Sequence, residues 1–349
     1  MKAFVMKRIG EVGLIDKPKP EAGPNDAILK PTKGLICTSD VHTVGGAIGE
    51  REDITLGHEV VGIVDSVGSE VEQFSKGDRV VVGAITPDWG SDAAQRGFPS
   101  QSHGALGGWM FANVKDGTFA DYVHVNDADA NLAKIPEGVK YEEAVYVTDM
   151  LSTGFAGAEN AEIPLGGTVA IFAQGPVGLM ATKGAALKGA GKIYAVETDP
   201  RRAELARKYG ADEVIDFQET DPVERIMELT GGKGVDSSIE ALGSSKTFED
   251  CIKVTRPGGT ISNIGYHGEG EFVRIPREGW GVGMSDQTIN TALCPGGRVR
   301  LERLLRLIKV GKVDPTPMTT HRFSFEDIVD GFELMKTKED DVIKPLIEF

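Results

Sequence analysis

The sequence predicts a mixed α/β protein with two domains, one mostly β and one a doubly wound parallel sheet flanked by helices. The chain has 349 residues, which is more than one ordinary core accommodates. Residues 1–150 read as short strands broken by Gly and Pro, with little helical periodicity. From residue 168 onward, apolar strands alternate with helical stretches, a pattern typical of βαβ units.

The strands of the parallel sheet follow one another at regular intervals. They are TVAIFA, KIYAVE, EVIDF, VDSSIEAL and GTISNIG, and the helices between them begin near residues 177, 200, 222 and 246. In the mostly β region, residues 60–67 and 78–83 read as successive strands.

The end of the chain changes pattern again. A helical run, VRLERLLRLIKVG, precedes a second helix over 326–335 and a final strand, IKPLIEF. We expect this tail to rejoin the first domain, so that the domains are 1–151 with 295–349, and 152–294. A domain inserted in this way would leave a cleft between the two.

Composition excludes several classes of protein. The formal net charge of −15 disfavours nucleic acid as a partner, because phosphate binding needs clustered Lys and Arg. The sequence has neither the apolar run of a signal peptide nor a stretch long enough to span a bilayer, so we expect a cytoplasmic protein without membrane contact. Three widely spaced cysteines argue against a disulfide framework.

The turn after the first strand of the parallel sheet has the features of a dinucleotide site. It contains Gly175, Pro176, Val177 and Gly178 and opens a helix. Gly175 would let the backbone approach a pyrophosphate, Gly178 would let the helix pack closely, and the helix N-terminus attracts negative charge. This is the Rossmann arrangement, although Ala173 stands where the first glycine of the usual motif belongs.

An acidic residue ends the next strand, KIYAVE. Glu197 is placed to accept hydrogen bonds from the adenosine ribose hydroxyls and to repel a 2′-phosphate, so it favours NAD over NADP. Arg201 and Arg202 lie nearby and could instead pair with a 2′-phosphate. A βαβ unit that binds nothing is the plain alternative.

The first domain supplies candidate zinc ligands from separate segments. Cys37, His58 and Asp149 offer a thiolate, an imidazole and a carboxylate. Three protein ligands leave a fourth position open, as a catalytic zinc site requires. Each residue also has an ordinary explanation. Cys37 could be a small buried residue, His58 a core histidine and Asp149 a helix N-cap.

These residues belong to longer segments with a recognisable pattern. Cys37 stands with Ser39 and His42, and GHEVVGIVDSVGSEV, FSKGDRVVV, Asp149 with LSTGFAGAE, and the GPVG turn follow along the chain. In these segments the sequence resembles the zinc-dependent medium-chain alcohol dehydrogenases. It looks most similar to the microbial secondary alcohol dehydrogenases, which share ITPDW, FANVKDG, HVNDAD and LCPGGR. The resemblance spans essentially the whole chain and implies a GroES-like catalytic domain joined to the Rossmann domain.

The resemblance implies a role for each metal-site residue. Cys37, His58 and Asp149 match the three zinc ligands and are thereby catalytic residues. Glu59 matches a residue that can approach the metal as an extra ligand, or else an acid beside the site. Zinc would polarise the substrate oxygen.

Three further residues match positions near the reacting atoms. Ser39 and His42 correspond to a relay that passes the alcohol proton to solvent, the alternative being a pair that stabilises the loop. Thr153 would lie near the nicotinamide, or act only as a local cap.

The resemblance also implies a substrate pocket and an assembly. A small apolar pocket beside the metal would be lined by Ile85, Trp109, Tyr266, Leu293 and Cys294, although Trp109 and Tyr266 could be ordinary core residues. Many family members hold a structural zinc with four cysteines, and this chain has three, so we expect only the catalytic zinc. The resembled branch forms tetramers, which implies a homotetramer with Met284 near a subunit contact.

Together these features predict an NAD-dependent zinc alcohol dehydrogenase that interconverts small secondary alcohols and ketones by hydride transfer. One alternative is a zinc dehydrogenase of a polyol, a primary alcohol or an amino alcohol. Another is a non-catalytic NAD(H)-binding protein, which would have no reason to keep both the metal and the proton-relay residues.

Overall fold

The computed structural model describes residues 1–349 in two compact units. The first comprises Met1–Ser152 with Cys294–Phe349, and the second Thr153–Leu293. The boundaries predicted from sequence differ from these by one residue at each junction. No helix is both long and apolar enough to cross a membrane.

The chain contains sixteen strands. They are β1 (Lys2–Arg8), β2 (Glu11–Asp16), β3 (Ala27–Leu35), β4 (Ile54–Thr55), β5 (Val60–Val67), β6 (Arg79–Val82), β7 (Val123–Val125), β8 (Leu132–Lys134), β9 (Thr168–Phe172), β10 (Lys192–Val196), β11 (Glu213–Ile215), β12 (Val235–Glu240), β13 (Thr255–Asn263), β14 (Thr288–Thr291), β15 (Thr319–Ser324) and β16 (Lys344–Glu348).

Eleven α-helices accompany the strands. They are α1 (Thr38–Val44), α2 (Asp92–Gln95), α3 (Ala128–Asn131), α4 (Tyr141–Ala144), α5 (Met150–Asn160), α6 (Pro176–Leu187), α7 (Pro200–Tyr209), α8 (Pro222–Leu229), α9 (Ser245–Val254), α10 (Arg298–Lys309) and α11 (Ile328–Thr337). Short 3₁₀ turns occur at Pro99–Gln101, Val145–Val147, Gly281–Gly283, Thr316–Met318 and Phe325–Asp327.

The first unit is built on a seven-stranded sheet in the order β15, β16, β3, β5, β6 and β8, with β7 also pairing with β3. Strand β3 therefore lies between β16 and β5: Leu35 is opposite Leu346, and Gly34 is opposite Val60. The chain leaves β3 just before Cys37 and enters β5 just after His58. This pairing gathers sequence-distant residues at one end of three neighbouring strands.

Aromatic packing supports that end of the sheet. The rings of Phe4 and Phe119 lie 6.4 Å apart, and Phe332 on α11 packs against Phe4 at 5.6 Å. All three side chains are buried. Gly57 has φ +90°, and a Cβ there would lie 2.6 Å from the Phe119 ring. Only glycine fits this position immediately before His58.

The second unit is a six-stranded sheet in the order β11, β10, β9, β12, β13 and β14, with every pair parallel. Its central strands are buried on both faces, as parallel sheets covered by helices require. This arrangement confirms the predicted fold class. Strand β14 was not predicted, because this half-exposed edge strand, TINT, lacks an apolar run.

Candidate functional site

Four side chains in the first unit meet with their metal-binding atoms facing one another. One ligand atom from each of Cys37, His58, Glu59 and Asp149 lies within 4.8 Å of the others. Two ligands of a single zinc, bonded at about 2.0 to 2.3 Å, are separated by distances of this order. We call these four residues the ligand cluster. The structure thus brings together the three predicted zinc ligands and the predicted extra ligand.

Cys37 is positioned by the start of helix α1. It is the N-cap residue, and its backbone N–H donates to Oδ2 of Asp40 at 2.8 Å. A capping contact of this kind fixes where the helix begins and which way the cap side chain points. The Cys37 side chain is buried and directed into the ligand cluster.

His58 is held from the side opposite the cluster. Its Nδ1 lies 3.3 Å from Oδ1 of Asp40, while its Nε2 lies 3.5 Å from Oδ2 of Asp149 and 3.8 Å from Oε1 of Glu59. A carboxylate on one ring nitrogen orients the ring and favours the tautomer that leaves the other nitrogen free for a metal. Asp40 was not among the predicted site residues, although it lies in the same segment, CTSDVH, as the predicted Cys37, Ser39 and His42.

Glu59 is paired with a buried lysine. Nζ of Lys344 lies 2.6 Å from Oε1 of Glu59, and both side chains are 0% exposed. The other carboxylate oxygen, Oε2, is buried without a hydrogen-bond partner. Lys344 was not predicted either, because it lies 285 positions from Glu59 along the chain.

The charges in this cluster shift the pKa values of its members. Burial opposes ionisation of the Cys37 thiol, but the Lys344 ammonium and the nearby His58 outweigh it and lower the pKa of Cys37 to about 7. Burial opposes protonation of His58, but Asp40 and Asp149 outweigh it and raise the pKa of His58. Burial raises the pKa of Glu59, against the opposing effect of Lys344. A thiolate is thus accessible near neutral pH, which is the form that binds metal.

The donor set suits a zinc ion. Thiolate, imidazole and carboxylate are the ligand types that zinc takes in proteins, and three of them leave a position open. The buried Oε2 of Glu59, without a partner, is an oxygen that a cation would satisfy. These observations favour a divalent metal held by Cys37, His58 and Asp149, with Glu59 beside them.

The two predicted relay residues lie on helix α1. Ser39 is half-buried, and its Oγ is 3.5 Å from Sγ of Cys37. His42 is exposed on the same helix, one turn further along. Residues three apart in a helix share a face. Ser39 lies on that face beside the ligand cluster, and His42 lies on it at the protein surface.

Two of the predicted pocket residues of the first unit, Ile85 and Cys294, lie beside the segment that carries Asp149. The backbone N–H of Ala84, just before Ile85, donates to the carbonyl of Thr148 at 2.9 Å. Sγ of Cys294 lies 4.0 Å from the same carbonyl. Ile85 and Cys294 are buried, and Trp109 is half-buried. In the second unit, Tyr266 is 44% exposed and Leu293 is half-buried.

The predicted phosphate turn lies between β9 and α6 in the second unit. Gly175 is the N-cap of α6, Pro176 is its first residue, and space is open at the Cα of Gly175. A Cβ on Gly178 would lie 2.0 Å from the carbonyl oxygen of Ala173, so Gly178 is required for close packing. Ala173 itself has φ +72°, a left-handed conformation that glycine adopts more readily.

Glu197 closes the adjacent turn with its own carboxylate. Oε2 accepts from the backbone N–H of Gln174 at 3.1 Å, and Oε1 accepts from those of Thr198 and Asp199 at 2.9 and 3.1 Å. The residue is only 7% exposed. Both oxygens are thus engaged within the protein.

A pocket lies beside the carboxyl ends of β10 and β11. Its lining includes Glu197, Thr198, Arg207, Asp216, Thr220 and Arg225. The predicted Arg202 is not among the lining residues, and its backbone N–H donates to Asp199, the N-cap of α7. Thr153 is buried near the start of helix α5.

Comparisons with known proteins agree with this geometry. Residues 23–137 match the alcohol dehydrogenase GroES-like domain family, and residues 176–309 match the zinc-binding dehydrogenase family. The NADP-dependent isopropanol dehydrogenase of Thermoanaerobacter brockii is 52% identical over 349 residues, covering 99% of each chain. The enzyme of the same name from Clostridium beijerinckii is 47% identical with the same coverage. The structure of alcohol dehydrogenase TADH from Thermus sp. ATN1 superposes with a TM-score of 0.90 at 30% identity, covering 100% of this chain and 99% of that one.

The predicted preference for NAD is wrong, because four relatives that are 47–52% identical to this chain over 349 to 351 residues are named NADP-dependent. The prediction assumed that Glu197 offers its carboxylate to the ribose. In the structure that carboxylate instead accepts three backbone hydrogen bonds of its own turn.

Proposed function

Because this chain belongs to the zinc-dependent medium-chain alcohol dehydrogenase family, we propose that it interconverts small secondary alcohols and ketones with NADP(H). The ligand cluster is the observation that carries the proposal, since it brings three zinc-type ligands together, and three protein ligands leave one position of a zinc ion for substrate. The relatives named isopropanol dehydrogenase support the substrate class and the coenzyme.

In this proposal Cys37, His58 and Asp149 hold the zinc. Asp40 orients His58 through Nδ1 and fixes the backbone at Cys37. When bound, zinc acts as a Lewis acid on the substrate oxygen. When bound, NADP⁺ supplies the nicotinamide that accepts the hydride.

The protein's own part in the reaction is to position the substrate and to move a proton. Ser39, next to Cys37, accepts the hydroxyl proton of the alcohol and gives up its own hydroxyl proton toward the exposed His42, whose imidazole releases a proton to water. The buried side chains of Ile85 and Cys294 lie beside Thr148, the residue before Asp149, and their apolar character suits a small alkyl chain. We assign Gly175, Pro176, Val177 and Gly178 to the pyrophosphate, and the pocket beside Thr198 and Arg207 to the adenosine end.

A substrate panel on metal-analysed protein tests the proposal. We expect stoichiometric zinc and a higher kcat/KM for 2-propanol or 2-butanol with NADP⁺ than for primary alcohols, polyols or amino alcohols. Cys37→Ser should lose both zinc and activity. Because a Lewis acid contributes several kcal/mol, activity should fall by about 100-fold or more.

Cys251→Ser is the matched control, because Cys251 is a buried free cysteine of the second unit and is not a member of the ligand cluster. It should keep zinc and turnover. Full activity after zinc has been removed, or coenzyme binding without turnover of any alcohol or ketone, would contradict the proposal.

We also propose a homotetramer. The second unit exposes apolar side chains, with Phe272 70% and Met284 78% exposed, which supports a subunit contact there. Light scattering of the purified protein measures the assembly directly.

A further inference from the structure

A buried carboxylate ends strand β12, at the point where the order of the parallel sheet reverses. The sheet has β10 and β11 on one side of β9, and β12, β13 and β14 on the other. Open α/β sheets bind their ligands at such a reversal, outside the carboxyl ends of the strands. Glu240 is the last residue of β12 and is 0% exposed. It therefore lies at the ligand-binding edge of the second unit.

The segment after Glu240 lies next to the phosphate turn. The backbone N–H of Ala241 donates to the carbonyl of Phe172, the last residue of β9, at 3.2 Å. A Cβ on Gly178 would lie 3.6 Å from the Cβ of Ala241. The turn after β12 therefore lies beside the turn that we assign to the coenzyme pyrophosphate.

The carboxylate of Glu240 is surrounded by donors from its own turn and from helix α9. Oε1 accepts from the backbone N–H groups of Leu242 and Gly243 at 3.0 and 2.9 Å and from the hydroxyl of Thr247 at 2.7 Å. Oε2 accepts from the same N–H of Gly243 at 3.0 Å and lies 3.6 Å from Nε2 of His267. Because a buried donor that loses its acceptor is costly, these contacts fix the carboxylate in place.

The turn after β13 packs directly on this carboxylate. The backbone N–H groups of Ile264 and Gly265 both donate to the carbonyl of Glu240, at 2.9 and 3.1 Å. A Cβ on Gly265 would lie 2.1 Å from Oε2 of Glu240, and one on Gly243 would lie 2.1 Å from the carbonyl oxygen of Tyr266. The two turns are therefore in close backbone contact, which glycine at both positions allows.

His267 anchors the turn after β13 through its ring. Its Nε2 donates to Oδ1 of Asn263 at 2.8 Å, since an amide oxygen only accepts, and the Asn263 amide donates to the carbonyl of Gly265 at 3.1 Å. The imidazole also meets the ring of Phe248 edge-on, with the centroids 5.7 Å apart. Tyr266 follows Gly265 and precedes His267, and it is 44% exposed. The backbone of the turn is thus fixed while its aromatic side chain stays accessible.

We propose that Glu240 and His267 are positioning residues that hold Tyr266 as a fixed wall for the alkyl group of the substrate. The inference rests on the proposed function, in which the substrate is a small secondary alcohol. Discrimination between alcohols that differ by methylene groups depends on a pocket wall that does not yield. Without its anchors the turn that carries Tyr266 moves, and longer alkyl chains are accepted.

The test compares kcat/KM for 2-propanol and for 2-octanol, at saturating NADP⁺, in the wild type and in Glu240→Gln. Gln has the same shape, but its NH₂ group faces donors that the carboxylate accepts from. We expect the ratio of kcat/KM for 2-octanol to that for 2-propanol to rise by about tenfold. Asp250→Asn is the matched control, because Asp250 is a buried carboxylate on α9 that accepts from Lys246. It should lower the stability and leave this ratio unchanged.

Two further comparisons separate a positioning role from a structural one. If Glu240 acts through Tyr266, Tyr266→Ala should raise the ratio by itself, and adding Glu240→Gln should change it no further. His267→Gln keeps a donor near the position of Nε2 and should retain the wild-type ratio. His267→Phe keeps a ring against Phe248 without the donor and should raise the ratio.

The other outcomes decide against the proposal. An unchanged ratio in a folded Glu240→Gln would overturn it, as would an equal rise in Asp250→Asn or a further rise in the double variant over Tyr266→Ala. If Glu240→Gln does not fold, equal ratios in His267→Phe and His267→Gln overturn the inference. A wild type that turns over no alcohol would instead refute the proposed function.

Discussion

The carboxylate of Asp40 touches the imidazole of His58, with Oδ1 lying 3.3 Å from Nδ1. Its other oxygen accepts the backbone N–H of Cys37 at 2.8 Å. A single buried side chain therefore orients two candidate ligands at once. Asp40 is 1% exposed, so water has little access to replace its contacts with His58 and Cys37.

We expect Asp40→Asn to weaken metal binding by about 10- to 100-fold, because the amide can neither hold the His58 tautomer as firmly nor supply the carboxylate's charge. Chelator competition measures the change. Asp330→Asn, which alters an exposed aspartate on α11, should bind metal like the wild type. Equal metal affinity in Asp40→Asn would show that His58 is oriented by other contacts.

The second prediction concerns Glu197. Glu197→Gln replaces a carboxylate that accepts three backbone N–H groups with an amide whose NH₂ faces some of them. We expect the free energy of unfolding to fall by about 1–3 kcal/mol. Because the hydrogen bonds of this carboxylate stabilise the turn and do not distinguish the two coenzymes, the KM values for NADP⁺ and NAD⁺ should both rise.

Urea unfolding and coenzyme kinetics test this, with the exposed Glu204→Gln on α7 as the control. If the ratio of kcat/KM for NADP⁺ to that for NAD⁺ changes by about tenfold without loss of stability, Glu197 binds the coenzyme ribose directly, contrary to this prediction.

The outcome for Glu197 illustrates which features a sequence can predict. The alternation of strands and helices predicted the parallel sheet, because burial on both faces leaves long apolar runs. Cys37, His58, Glu59 and Asp149 were identifiable because their residue types match zinc chemistry and a family pattern.

Asp40 and Lys344 were not identified, because their roles depend on which strands become neighbours. Lys344 meets Glu59 only because β16 and β5 flank β3. The error at Glu197 has a similar origin, since a sequence shows that a carboxylate is present but not which donors it already serves.

The third prediction concerns the strained phosphate turn. Ala173 has φ +72°, which costs a residue with a Cβ about 1–2 kcal/mol, whereas glycine adopts it freely. After subtracting the greater chain entropy that glycine loses on folding, Ala173→Gly should stabilise the protein by about 0.5–1 kcal/mol.

Urea unfolding of the whole chain measures this effect. Ala203→Gly, in the middle of helix α7, is the matched control and should destabilise by about 1 kcal/mol or more. If both substitutions destabilise equally, the turn at Ala173 carries no strain.

The last prediction concerns Lys115, whose Nζ donates to Oδ1 of Asn126 at 2.7 Å and to the carbonyl of His124 at 3.2 Å. Burial lowers the pKa of Lys115 from 10.5 to about 7, against the opposing effect of Asp26 and Asp127. Between these two values the unfolded chain binds more protons at this residue than the folded protein does. Stability should therefore rise with pH across this window on account of Lys115.

Lys115→Met removes that contribution. We expect the gain in unfolding free energy between pH 7 and pH 10 to be smaller in the variant than in the wild type, by about 1–2 kcal/mol after allowance for partial solvent access. Urea unfolding at several pH values measures the difference, and Lys188→Met, at the exposed end of α6, should follow the wild-type curve. Parallel curves for Lys115→Met and the wild type would mean that Lys115 stays charged in the folded protein, stabilised by Asn126, Asp26 and Asp127.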